Sequence, residues 1–362
     1  MLHKEIARRD LLKLGLVAGG AVLFSGCQKA VNMDLSTSQL RVSDPSNSKM
    51  EELIRYATLA ANGHNTQPWK FRIMDKTLEI HPDLSRRLNV VDPQDRELWI
   101  SLGCALENLV IAAGAAGFAN EIIYPAKEQN YIKINLQSDT TEVSHLFNSI
   151  QIRQSTRSEY NHEKLSNVLM DQIHSVSTEP GVSLKFIENI SETERVIEYL
   201  NAGNMKQYAD KAFLEELIFW LRFNQKEALS TMDGLFSKCS GNPTVPRFLG
   251  EMFVSSTKPQ KQAEADAKKL LSSSGSVVFA TDNDTPESWV RCGQVFERLS
   301  LHLTSLDLKS ALVNQPIEVP ELRGEFQTAM GLGSNLPQLL MRFGVADAMP
   351  YSLRRPVEEV LI

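Results

Sequence analysis

One stretch of this sequence occurs twice. Trp99-Ile-Ser-Leu-Gly103-Cys-Ala-Leu-Glu107-Asn-Leu109 returns as Trp289-Val-Arg-Cys-Gly293-Gln-Val-Phe-Glu297-Arg-Leu299, each shared residue displaced by 190 positions. Upstream the register holds, with Asp92 matching Asp282 and Glu97 matching Glu287. Self-similarity at one fixed, long spacing marks a duplicated unit, and the distance implies two half-domains, not a solenoid. A site built between two such halves can be chemically asymmetric within a single chain.

At 362 residues the chain has room for one large core or two modest ones. Its charged and apolar fractions, 23% and 42%, exclude a disordered or fibrous protein. The net charge of −6, with no long basic run, argues against a nucleic-acid partner. Residues 1–27 differ from the rest. Lys4, Arg8, Arg9 and Lys13 form a positive head, Leu14 to Phe24 an apolar run, and Ser25-Gly26-Cys27 a small-residue end. This reads as an export signal, too short for a stable membrane span. Arg8-Arg9 followed by Asp10-Leu11-Leu12-Lys13 resembles a twin-arginine signal, and Leu23-Phe24-Ser25-Gly26-Cys27 resembles a lipobox. The expectation is an exported, periplasmic or cell-surface protein that uses the twin-arginine machinery and is held to the membrane by a lipid on Cys27. The segment's surplus of +2 leaves −8 on the remainder. Residues 28–49 are polar and Ser-rich, and read as a flexible tether.

Elements follow from periodicity. Met50 to Ala61 reads as a helix broken by Asn62-Gly63-His64-Asn65, and Trp69 to His81 as strands around an Asp75-Lys76 turn. Leu98 to Gly117 is the first repeated helix and Lys133 to Leu136 a strand. A helix within Tyr160 to Gly181, a strand at Val182 to Glu188 and a long helical stretch from Ala202 to Met252 come next. Val277 to Thr281 and Leu339 to Phe343 are strands on either side of the second repeated helix, Val290 to Leu306. The class is α+β, with a mixed or antiparallel sheet packed on a central helix in each half, divided at residues 50–150 and 151–362.

The chemistry is narrowed by what is missing. Seven scattered histidines show no metal-ligand spacing, so no metal is expected. There is no Gly-x-Ser-x-Gly elbow, and Gly331-Leu-Gly333 is a poor dinucleotide fingerprint. Cys104, Cys239 and Cys292 read as buried free thiols. Two clusters stand out instead. In Arg153-Gln154-Ser155-Thr156-Arg157, two cations on alternate positions of an extended segment suit a phosphate; the bland alternative is solvated arginines ahead of a helix capped by Ser158. In Asn62-Gly63-His64-Asn65-Thr66-Gln67-Pro68-Trp69, the side-chain amides suit the edge of a planar heteroaromatic ring; the bland alternative is a turn whose Asn side chains bond their own backbone.

Together these clusters resemble the FMN-binding nitroreductase family, in its tandem, Acg-type branch, where one chain imitates the family's dimer. Arg-x-Ser-x-Arg, Asn-x-Gln-Pro-Trp and the late Arg354-Arg355-Pro356 carry the likeness over most of residues 50–362. The resemblance implies one FMN per monomeric chain, its phosphate held by Arg153, Arg157 and Arg354 or Arg355. Ser155 and Asn65 would bond the ring system, Asn62 and Gly63 would pack over it, and Gln67 would fix the loop. The insertion near residues 202–252 would be a lid, with Trp220 or Phe223 over the flavin face or simply in the core. The usual Pro-Ser-Ser is Ala61-Asn62-Gly63 here, and Leu40-Arg41-Val42-Ser43 is at best a remnant of a second Arg-x-Ser. The implied activity is reduction of a small planar acceptor, a nitroaromatic or a quinone, at flavin N5, with solvent supplying protons. Export removes the protein from NAD(P)H, so a flavin-sequestering lipoprotein without catalysis is the alternative.

Overall fold

The repeat is a duplication of topology as well as of sequence. The computed structural model describes residues 41–362; the expected export signal, Cys27 and residues 28–40 lie outside the described residues. In the first half, β1 (Trp69–Met74), β2 (Thr77–Pro82), β3 (Phe118–Ile123) and β4 (Ile132–Ser138) form one sheet in the order β1-β2-β4-β3. In the second half β5 (Val182–Ile187) is followed by a separate parallel pair, β6 (Leu221–Arg222) and β7 (Leu235–Phe236). Then β8 (Gly275–Thr281), β9 (Lys309–Leu312) and β10 (Leu336–Gly344) join β5 in the order β5-β8-β10-β9. Substituting each strand for its counterpart turns one order into the other, and every pairing within both sheets is antiparallel. In each half a 20-residue central helix, Arg96–Ala115 or Pro286–Ser305, joins the second strand to the third. The α+β class and the two half-domains expected from sequence are therefore present.

The central helices meet at the repeat itself. A Cβ built on Gly103 would stand 2.1 Å from the Val290 carbonyl oxygen, and one on Gly293 would stand 2.0 Å from that of Ile100. Each repeated glycine thus lets the other helix's backbone pass, and no larger residue fits. Around this crossing, Leu102, Leu106, Leu109, Val290, Val295 and Leu299 are fully buried in one core shared by both halves. The repeated glutamates close the seam on either side. Glu107 pairs with Arg298 at 2.7 Å and Glu297 with Arg153 at 2.9 Å.

The halves differ at one connection. Asp75-Lys76, with Asp75 in the left-handed region, joins β1 to β2. Between β5 and β8 the second half instead carries the helices Ile190–Gln207, Lys211–Trp220, Gln225–Thr231, Arg247–Ser255 and Pro259–Leu271. The insertion is wider than residues 202–252 and is broken into short helices, the first three capped by Asn189, Asp210 and Asn224. Its first and last helices cover the outer face of the second sheet, where Val196, Leu200, Leu270, Val278 and Leu340 form a second core. This explains why β8 reads as an unbroken apolar run. β1, with Lys70 and Arg72 on its open face, alternates.

Two further corrections concern the chain's junctions. The helix expected within Tyr160 to Gly181 is confined to Asn167–His174, so the arginine cluster lies in extended chain and Ser158 caps no helix. The expected tether is docked at its end. Arg41 is buried, donates to the Gln151 carbonyl at 2.6 Å and stacks on Tyr351, and Ser48 caps the helix Lys49–Thr58. At the far terminus Leu361 bridges to Phe71 and the Ile362 N–H donates to the Phe71 carbonyl at 2.9 Å, which adds the chain's end to the open edge of β1.

Candidate functional site

Four arginines converge on one recess between the halves. Arg41, Arg153, Arg157 and Arg354 line it with Ser155 and Asn62. The extended segment after Ile152 delivers two of them because Ser155 pairs with Ser310 at the edge of β9, so Arg153 and Arg157 flank a fixed point. Arg153 is tied to Glu297 and to the Leu59 carbonyl at 3.0 Å. Arg354 spends its donors on the carbonyls of Thr58, Leu59 and Ala60 that end the helix Lys49–Thr58, and on Asn65. Arg157 makes no hydrogen bond or ion pair among the described residues.

Crowding these cations has an electrostatic consequence. Burial, then Arg41 and Arg153, holds the Arg354 guanidinium well below its ordinary value. Burial and then Arg153 bring Arg41 down to about 10. Burial also lowers Arg157. Glu297, ion-paired to Arg153 though not itself lining the recess, cannot balance four arginines. A bound anion would relieve the repulsion. The resemblance's phosphate reading therefore suits Arg153, Ser155, Arg157 and Arg354, the last by charge alone. Arg41 joins them; the only sequence signal for it was the partial echo of Arg-x-Ser at Arg41-Val-Ser43.

The same geometry reassigns other expected contacts. Asn65, at φ 54°, donates to the Gly234 and Leu353 carbonyls at 3.0 and 3.2 Å and accepts from Arg354 at 2.8 Å. Both its N–H groups are taken, so it does not donate to a ring. Gln67 donates to the Met232 carbonyl and accepts from the Arg355 N–H, fixing the loop as expected but contributing nothing to the recess. Arg355 donates to the Gln67 carbonyl at 2.7 Å and lines neither recess nor cleft, so it is not a phosphate ligand. Asn62 accepts from the Gln67 N–H at 2.8 Å, which is the turn-making role, while also lining the recess. The amide-rich loop is thus clamped between residues 232–234 of the insertion and Leu353 to Arg355.

A larger cleft of about 250 Å³ adjoins the recess, with Arg157 and Asn62 lining both. Gly63 and His64 form one wall, and the chain from Ala311 to Gln315 another. Burial and the Arg157 charge pull His64 down to about 4, so it is neutral near pH 7. The insertion supplies Tyr208, Phe213 and Leu217. Trp220 and Phe223 are not cleft residues. Trp220 packs with Leu88, Val91 and Phe213, and both are buried. Glu216 latches the insertion by accepting from the Val90 and Val91 N–H groups at 2.9 and 3.0 Å. Three carboxyls also reach the cleft, Asp266 and, on either side of Asn314, Glu97 and Glu318. Neither was singled out from sequence beyond Glu97's place in the repeat. No group of three or more potential metal ligands exists among the described residues, and Cys104, Cys239 and Cys292 are free and buried.

The chain has sequence relatives in Mycobacterium tuberculosis. It is 23% identical over 328 residues to "Putative NAD(P)H nitroreductase Rv3131", covering 88% of this chain and 92% of that one. It is 23% identical over 322 residues to "Putative NAD(P)H nitroreductase acg", covering 86% and 94%. No protein-family model matches the chain. Among solved structures, the FMN-dependent nitroreductase NfnB from Mycobacterium smegmatis, in complex with NADPH, covers 56% of this chain and 88% of its own, with 11% identity and a TM-score of 0.38. A nitroreductase with bound FMN from Desulfitobacterium hafniense covers 60% and 97%, with 11% identity and a TM-score of 0.37.

Proposed function

We propose that this chain is an FMN-binding oxidoreductase of nitroreductase type that reduces a small planar acceptor, a nitroaromatic or a quinone. The observation that carries the reading is the arginine recess opening through Arg157 onto the cleft. Arg157 has donors to give, Arg153 and Arg41 have unused ones, and Ser155 adds a hydroxyl. These residues would hold the phosphate end of FMN and leave its ring system for the cleft. Bound there, FMN would supply reversible two-electron transfer to the acceptor. Arg157, placed where recess and cleft meet, favours negative charge developing on whatever occupies both. Phe213, Leu217 and Tyr208 exclude water from the far side.

The test is flavin uptake by residues 28–362. The protein should be yellow or take up added FMN, and NADH, NADPH or dithionite should bleach it anaerobically; a colourless protein that refuses FMN ends the proposal. Arg157→Ala should weaken FMN about tenfold or more, the worth of a charge-assisted hydrogen bond, without unfolding the chain. Arg153→Ala is a poorer probe, because it strands Glu297 in the core at a cost of about 3–5 kcal/mol.

The second reading, flavin sequestration without catalysis, is favoured by the latch between Glu216 and residues 90–91, which holds the insertion over the cleft. Bleaching by dithionite but by no physiological donor would select it. The composition of residues 1–27 supports export by the twin-arginine route and a lipid anchor on Cys27. Cys27→Ser should move the protein from the membrane fraction to the soluble one, and a chain that stays in the membrane would refute the anchor.

A further inference from the structure

The duplicated sequence contains one pair whose copies have parted company. Glu287 lies at the surface, where it pairs with Arg291 at 2.8 Å. Its counterpart Glu97 is buried and lines the cleft. The two oxygens of Glu97 have different surroundings. Oε1 accepts from Arg96 at 3.0 Å and from Asn314 at 2.5 Å. Oε2 has no hydrogen-bond partner among the described residues and lies beside Gly63, 3.9 Å from where a Cβ on that residue would stand. Gly63 is itself a cleft wall, so one oxygen of a buried carboxyl is left open next to the cleft. Across Asn314, Glu318 is held by Gln207 at 2.6 Å.

We propose that Glu97 is the proton donor of the cleft, delivering from Oε2 the proton that two-electron reduction of a bound acceptor consumes. The proposal rests on the oxidoreductase reading and deepens it: for a quinone acceptor it names the group that supplies the proton. A quinone carbonyl takes up a hydride equivalent from the reduced cofactor and one proton from Glu97, giving the hydroquinone. Glu97 is left as a carboxylate, stabilised by Arg96 and the Asn314 amide, and is reprotonated by water entering the cleft. Atoms and electrons balance with the reduced flavin as sole reductant.

The charges facing Glu97 favour a held proton. Burial raises its carboxyl, the Glu318 carboxylate across Asn314 raises it further, and Asp92 on the preceding turn adds to this; Arg96 and the Asn314 amide act in the opposite sense. The balance leaves it at about 8. Burial also raises Glu318 and Asp92. Three carboxyls around one arginine cannot all ionise cheaply, and Glu97 is the one whose Oε2 lies beside the amide loop at Gly63.

The experiment has two independent arms. In the flavin-free protein, carboxyl carbon NMR should reveal one glutamate titrating near pH 8, absent in Glu97→Gln and moved to lower pH in Glu318→Gln. A spectrum in which every glutamate titrates in the ordinary carboxylate range overturns the proposal. In the flavin-loaded protein, reduced with dithionite and mixed with a benzoquinone, the reoxidation rate should fall about tenfold between pH 7 and 9. Glu97→Gln should be slower at pH 7 and flat with pH, and Glu97→Asp should recover part of the rate and the break. Reoxidation of Glu97→Gln at the unaltered rate with the unaltered profile overturns the role of Glu97 and leaves the oxidoreductase reading standing. Failure to load flavin, with a glutamate still titrating near pH 8, sinks the oxidoreductase reading and with it this one.

Discussion

Replacing Gly103 by alanine sets two physical effects against each other. Gly103 lies inside a 20-residue helix, where alanine is favoured over glycine by about 1 kcal/mol. The added methyl, however, would sit 2.1 Å from the Val290 carbonyl oxygen, which belongs to the rigid backbone of the second central helix. Restoring an ordinary contact requires the helices to part by roughly 1 Å at their crossing, and a gap of that size forfeits up to half of each contact's dispersion energy. Overpacking of this kind costs about 1–3 kcal/mol, and the upper end applies because no side chain can rotate away. After the propensity gain the net loss is about 2 kcal/mol, a fall in Tm of about 3 °C for a chain of this size. Gly293→Ala should do the same from the other side, since its methyl meets the Ile100 carbonyl at 2.0 Å. The double variant should lose little more than either single one, because helices already parted leave room for the second methyl; the cycle should give a coupling of about 2 kcal/mol. Gly324, in the helix Pro320–Ala329 with nothing within 4 Å of its added Cβ, is the control, and Gly324→Ala should gain up to about 1 kcal/mol. Thermal and urea unfolding measure all four variants. A stabilised Gly103→Ala, or two single losses that add in full, would refute the crossing.

Three other outcomes follow from the site. Asn65→Ala removes three hydrogen bonds that join the loop to the insertion and the C-terminal segment, and should cost about 2–3 kcal/mol in urea unfolding; a loss of FMN affinity without loss of stability would show that Asn65 faces the ligand instead. His64 is pulled down from 6.5 to about 4, so its contribution to stability is complete above pH 6.5 and disappears as the pH falls through 4. His64→Gln should flatten that part of the stability–pH curve, and an unchanged slope would place His64 in solvent. Burial raises Cys104 and Cys239 and pushes Cys292 up to about 12, so in a chain carrying Cys27→Ser a thiol reagent should modify none of the three until the protein unfolds.

The fold was legible wherever the chain writes its pattern locally. The two central helices carried the repeat, and β1 with β2 alternated around the Asp75-Lys76 turn because only one face of that sheet is covered. The insertion was harder to read. Its helices are short, and their apolar residues serve two different cores, so no single period runs through residues 202–252. At the site, Arg153 and Arg157 were visible because they stand together with a serine between them. Arg41 was not, since it reaches the recess from a polar stretch whose composition argues for a tether. Asn65 was misread for a physical reason, and the bonds by which Gln67 fixes the loop share it. An amide that suits a ring edge equally suits backbone carbonyls and a guanidinium, and the partners here lie about 165 to 290 residues away, beyond any local pattern. Glu97 could have been weighed only by asking why one copy of a repeated acid ends beside an amide loop and the other does not.

The docking of residues 354–362 onto residues 58–71 has a consequence for biosynthesis. Arg354 and Arg355 hold residues 58–69, and the Ile362 N–H completes the edge of β1. These contacts join residues nearly 300 positions apart, so the first half leaves the ribosome long before its own loop can be locked. Until Arg354 and Arg355 emerge, the recess lacks one of its four arginines and the amide loop lacks one of its clamps. The recess is therefore completed only once residue 354 has been made, and a chain cut before Arg354 would be folded in outline yet lack that arginine and the clamp on its amide loop.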